Sequence, residues 1–164
     1  SPNFGYSANG IGDINDDGVD DFAFGASSAT PSNSTGLISA GVVFVIWGKS
    51  SWSSSSDWPS ISSLPNISLG LVIIGSTANL YLGSALSCGG CDLNNDGVDD
   101  FIIGSDSGRA VFVVFGRRHG GTSSWPSTGI ISTSDLIIGG VHGFKIIPGS
   151  SNGWSSYFGY IMLL

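Results

Sequence analysis

Apolar residues in this chain fall in short runs and never at helical spacing. Residues 42–47 (VVFVIW) and 111–115 (VFVVF) are unbroken β-branched and aromatic stretches, the kind buried on both faces of a sheet. Shorter apolar runs accompany them at residues 4–8, 21–25 and 71–74, and again at 81–86, 100–104 and 144–147. Gly, Ser, Pro and Asn separate the runs, so the pattern predicts many short strands joined by turns. Composition agrees: the 164 residues include 26 Gly and 31 Ser but no Glu and no Gln, which removes the side chains on which long helices lean. A hydrophobic content of 41% is enough to build a core, so the small residues do not imply disorder.

The runs recur in order. SPNFGYSANGIGDINDDGVDDFAFGAS aligns with NLYLGSALSCGGCDLNNDGVDDFIIGSD, at an offset of 79 residues between Asp13 and Asp92. AGVVFVIWGKS then answers RAVFVVFGRRH, SSWSSSSDWPS answers GTSSWPSTG, and LGLVIIG answers GFKIIPG. Near the C-terminus YFGY restates NFGY, so the pattern is expected to continue in a longer chain. The division expected is residues 1–80 and 81–156 as two units and 157–164 as the start of a third. Four strands per unit, repeated in tandem, predict an all-β fold of four-stranded antiparallel blades like those of a β-propeller. One blade cannot cover both of its faces, so further blades of the same chain or other copies of it are the expected partners. A β-sandwich with a duplicated hairpin is the alternative architecture.

Charge concentrates in two places. Nine of the twelve acidic residues lie in residues 13–21 and 92–100, and the net charge is −7. The loops read Asp13-Ile-Asn15-Asp-Asp17-Gly18-Val19-Asp-Asp21 and Asp92-Leu-Asn94-Asn-Asp96-Gly97-Val98-Asp-Asp100. Oxygens at positions 1, 3 and 5 can converge where the backbone curls. Gly at position 6 permits the turn, position 7 offers a carbonyl, and Asp at position 9 closes the shell. An all-oxygen set suits a hard cation, and an irregular protein cage suits Ca²⁺ better than Mg²⁺. One Ca²⁺ per loop is the expectation, two in all. An EF-hand would place a bidentate Glu at position 12, where this chain has Phe24 and Ile103. The alternative is an Asp-Gly hairpin turn that binds nothing.

On these residues the units resemble FG-GAP repeats, the blades of integrin α-subunit propellers and of many secreted proteins. Phe4-Gly5, the loop at 13–21, Gly25-Ala26 and Ala40-Gly41 with the strand that follows carry the resemblance. The second unit has Leu82-Gly83 for Phe-Gly and Gly104-Ser105 for Gly-Ala. The resemblance implies a calcium-stabilised propeller, with ligands at Asp13, Asn15, Asp17, the Val19 carbonyl and Asp21. In the second unit it implies Asp92, Asn94, Asp96, the Val98 carbonyl and Asp100. The units are longer than typical integrin blades, and ligand-binding inserts of the integrin kind are absent.

Other features narrow the function. Asn33-Ser-Thr35 and Asn66-Ile-Ser68 are N-glycosylation sequons, which predict an extracellular or cell-surface protein bearing glycans at Asn33 and Asn66. Cys88 and Cys91 form a lone CxxC without further zinc ligands, leaving a local disulfide or two free thiols. Arg117-Arg118 is the only basic pair, so no nucleic-acid footprint exists, and no apolar run is long enough to span a membrane as a helix. GxSxG at residues 149–153 lacks a following helix and partner residues, and no acid–base set converges, which points away from an enzyme. His119 and His142 read as surface or turn residues. The function expected is a structural or adhesive extracellular module, such as a segment of a surface array or filament. Two other functions fit the pattern: a propeller that binds glycans or surface proteins, and an accessory domain of a secreted enzyme.

Overall fold

The strongest apolar run becomes the centre of a sheet. In the computed structural model, β3 (Val42–Ile46) pairs antiparallel with β2 (Asp21–Ala26) on one side and β4 (Gly70–Ile74) on the other. β1 (Ser7–Gly12) borders β2 and completes the four-strand meander. The structure describes residues 3–32, 34–54, 59–106, 110–118, 125–137 and 139–147. Asn33, His119, the GxSxG stretch and the start of a third unit at 157–164 lie outside the described residues.

The second sheet repeats this order with β5 (Leu82–Cys91), β6 (Asp100–Ser105), β7 (Val111–Val114) and β9 (Gly143–Ile146). The protein is all-β, and its two sheets form no closed barrel. No helix among the described residues is long and apolar enough to cross a membrane.

Two local expectations change. The first strand begins at Ser7 and not at Phe4, because Asn3 and Gly5 take positive φ values of 48° and 77° and Tyr6 N–H closes a turn on the Asn3 carbonyl. A further strand, β8 (Ile130–Ser132), directly follows the Trp-Pro-Ser stretch of the second unit, where the repeat predicts none. It pairs parallel with β4, opposing Val72 with Ile130 and Ile73 with Ile131, so the first sheet has five strands and mixed direction. Ile131 is fully buried there, and this apolar contact selects the pairing for a segment too short to signal a strand alone.

The two sheets share one core. Ala23, Val43, Val45, Leu71 and Ile73 of the first sheet pack with Phe101, Ile103, Phe112 and Val114 of the second. Each fully buried aliphatic or aromatic side chain contributes about 1.5–3 kcal/mol relative to exposure. Strand alternation turns Phe22, Phe24 and Phe44 to the opposite face of the first sheet, where they gather with Phe4 at centroid distances of 5.4–5.7 Å. The described tryptophans divide between the two faces. Trp52 sits 6.4 Å from Phe22 of its own sheet, whereas Trp125 of the second half packs 6.1 Å from Trp47 of the first.

Candidate metal-binding loops

Each acidic loop connects two antiparallel strands, β1 to β2 and β5 to β6, and the flanking pairs Gly12–Asp21 and Cys91–Asp100 close its base. Within the first loop, Asp13 Oδ1 and Oδ2 accept the N–H groups of Asp17 and Gly18 at 3.0 and 2.7 Å. Asn15 Oδ1 also accepts from Asp17 N–H, at 2.9 Å, while Asn15 Nδ2 donates to Asp17 Oδ2. Asp17 Oδ1 accepts from Val19 N–H at 3.0 Å. Asp and Asn are suited to this because their short side chains reach backbone amides two to five residues on. The curl needs positive φ at two positions, supplied by Asp16 at 58° and Gly18 at 88°.

The second loop reproduces the first bond for bond. Asp92 accepts from Asp96 and Gly97, Asn94 accepts from and donates to Asp96, and Asp96 Oδ1 accepts from Val98. Asn95 and Gly97 supply the positive φ values, 59° and 85°. The ninth residue ties each loop to its sheet. Asp21 accepts the N–H groups of Ile14 and Gly48 at 3.1 and 2.8 Å, and Asp100 accepts those of Leu93 and Gly116 at 2.7 and 2.8 Å.

Asp21 and Asp100 are buried carboxyls, at 1% and 0% exposure. Burial pushes the Asp21 carboxyl up from 3.8 to about 7, against the pull of the Gly48 and Ile14 amides and with added repulsion from Asp17 and Asp13. Burial raises Asp100 as well, opposed by the amides of Gly116 and Leu93 and reinforced by Asp96. The first loop is the more enclosed, with Asn15 buried, whereas residues 92–97 of the second are exposed. Among the described residues, no three acidic, His or Cys side chains gather as a ready ligand cluster. The carboxylates of Asp13, Asp17, Asp92 and Asp96 are turned to backbone amides of their own loops.

The structure brings in residues outside the expected ligand set. Gly48 and Gly116 follow the third strand of each unit, and the aligned WGKS and FGRRH segments were the available signal. Asp99 Oδ2 accepts from Asp13 N–H at 2.9 Å, joining the second loop to the first across 86 residues. Arg118 Nη2 donates to the Asp96 carbonyl at 3.1 Å and lies 3.8 Å from Asp16. Both partners of that ion pair are well exposed, at 61% and 40%, so solvent screens it. Arg118→Ala is accordingly expected to change stability by less than about 0.5 kcal/mol, read from denaturant midpoints.

The remaining predicted sites are dispersed. Cys88 and Cys91 are joined by a disulfide at the end of β5, where Cys88 and Gly90 take positive φ and the strand bulges. Asn66 is exposed, and its Oδ1 accepts from the N–H and hydroxyl of Ser68 within its own sequon. His142 is half-buried, away from both loops in sequence. No family model matches the chain, and no curated protein shows significant similarity to it. The class that fold and site define is an all-β protein of two packed sheets, each carrying an Asp-rich loop on its first hairpin.

Proposed function

We propose that each loop holds one Ca²⁺, and that the protein is a non-enzymatic extracellular module of FG-GAP-like blades with a structural or adhesive role. Asp13, Asn15, Asp17, the Val19 carbonyl and Asp21 would hold the first ion. Asp92, Asn94, Asp96, the Val98 carbonyl and Asp100 would hold the second. The observation that carries this reading is the sevenfold identity of hydrogen bonds in the two loops. A turn selected only for being hydrophilic has no need to repeat the carboxylates at positions 1, 5 and 9 with the same hydrogen bonds.

The donor set fits the ion. A carboxylate oxygen that accepts one N–H retains lone-pair capacity, so Asp13 and Asp17 can bond an amide and a cation together. Every donor is a hard oxygen, the preference of calcium. Asp21 is a buried carboxyl raised by desolvation and by the nearby Asp17 and Asp13, and a divalent cation would offset both effects. When bound, the ion neutralises crowded carboxylates and clamps the hairpin. The disulfide and the sequons at Asn33 and Asn66 suit an oxidising, secretory setting.

Isothermal titration of the metal-free protein with calcium is the direct test. Two ions per chain are expected, and Asp17→Ala should leave one. Absence of any binding heat at millimolar calcium, together with an unaltered melting curve, would overturn the reading.

A further inference from the structure

The two sheets are related by the repeat, yet they do not meet through equivalent faces. Register establishes the equivalence. Phe22 lies opposite Ile46 and Phe24 opposite Phe44 in the first sheet, just as Phe101 lies opposite Val114 and Ile103 opposite Phe112 in the second. In the second sheet this face is buried against the first. In the first sheet its counterpart points away. There Ile46 is buried and Phe22, Phe24 and Phe44 are half-buried, but Phe4 is 49% exposed, and Phe22, Phe24, Trp52, Pro59 and Ile61 border an open cavity of about 430 Å³.

The receiving face shows the same offset. The second sheet docks on Ala23, Val43 and Val45, whose repeat counterparts are Ile102, Val111 and Val113 on the other side of the second sheet, where Ile102 and Val111 are half-buried and Val113 is buried. Ile146, opposite Val111, is 45% exposed on that side. The polar rim follows suit. Asp99 crosses from the second unit to Asp13 N–H of the first, and Arg117 N–H crosses to the Ile14 carbonyl at 2.7 Å. Their counterparts in the first unit, Asp20 and Lys49, are exposed.

We propose that the outward face of the first sheet binds the outward face of the second sheet of another copy of this chain, head to tail, repeating the joint already present inside each molecule. One chain carries both halves of that joint, which makes a second copy the fitting occupant. The contact is heterologous, so it generates a ring if the rotation closes and a filament if it does not. The inference rests on the repeat-module reading but uses its sheets and not its calcium.

Sedimentation of the 164-residue chain with calcium in excess tests this. The weight-average mass of the wild type should rise with concentration beyond that of a dimer. Phe24→Asp blocks one face and Ile146→Asp the other, and each variant alone should associate at least ~10-fold more weakly, a change of about 1.4 kcal/mol. Mixed together, the two should form a one-to-one dimer and nothing larger, because each supplies the half that the other lacks. A wild type that stays monomeric throughout, or a single variant that dimerises as well as the wild type, overturns the proposal. Should circular dichroism show Phe24→Asp unfolded, the exposed Asp20→Ala takes its place, with severalfold weaker association expected and unchanged association counting against. Calcium titration of the same samples separates the two readings. Association without calcium uptake sinks the calcium sites alone, and calcium uptake without association sinks the joint alone.

Discussion

Chelating calcium is expected to lower the melting temperature by about 10–20 °C at neutral pH, measured by calorimetry or circular dichroism with and without EGTA. A ligand present at 100 times its dissociation constant stabilises the native state by about 2.7 kcal/mol per site, so two sites contribute about 5 kcal/mol. For a chain of this size each kcal/mol corresponds to roughly 2–4 °C. The effect should depend on pH, with a sign that follows from Asp21. In the metal-free fold its carboxyl is pushed up to about 7, above its ordinary 3.8. The folded state then binds more protons than the unfolded state across that window, and metal-free stability falls as pH rises through it. Calcium competes with the same protons and binds best above the window. The melting difference produced by EGTA should therefore be largest near pH 7.5 and shrink toward pH 5. A difference that is flat with pH, or grows on acidification, would remove Asp21 from the site.

The second large effect needs no ion. Gly25→Ala is expected to destabilise the protein by about 3 kcal/mol, the upper end for an overpacked core. A Cβ at Gly25 would meet the carbonyl oxygen of Gly83 and Ser7 Oγ, with the Gly83 carbonyl carbon 2.9 Å away. Two of these atoms are backbone of the facing strand, which cannot rotate aside, so the sheets themselves must separate. Ser7 Oγ donates to that same carbonyl at 2.8 Å, and the shift would break this bond as well. Gly10→Ala is the matched control. Its Cβ would meet nothing within 4 Å, and its stability should stay within about 0.5 kcal/mol of wild type. Urea unfolding of the three proteins decides the matter, and equal midpoints for the two variants would refute the close approach.

The acidic loops were legible because nearly everything that shapes them is local. Six of the seven bonds in the first loop join residues no more than seven apart, and they follow from Asp, Asn and Gly at fixed spacing. The seventh, from Gly48 to Asp21, spans 27 residues and could be located only through the repeat. The strong runs at β3 and β7 were equally plain, since continuous Val, Ile and Phe leave no exposed side for a strand to keep. The short β8 was not, because three residues carry too little periodicity and its partner strand lies some 58 residues earlier in the chain.

Sequence alone determined that this protein is all-β, that it has two equivalent acidic hairpins, and which residues form them. These properties depend on residue type and near spacing, and the repeat states them twice. The tertiary structure decided which faces meet. An alternating strand offers an apolar side in either direction, and both sides of each sheet here are apolar, so pattern could not choose between them. Contacts between distant residues made the choice: the Gly25 approach to Gly83, the Asp99 bond to Asp13, and the burial of Phe101 and Ile103 against Val43 and Val45.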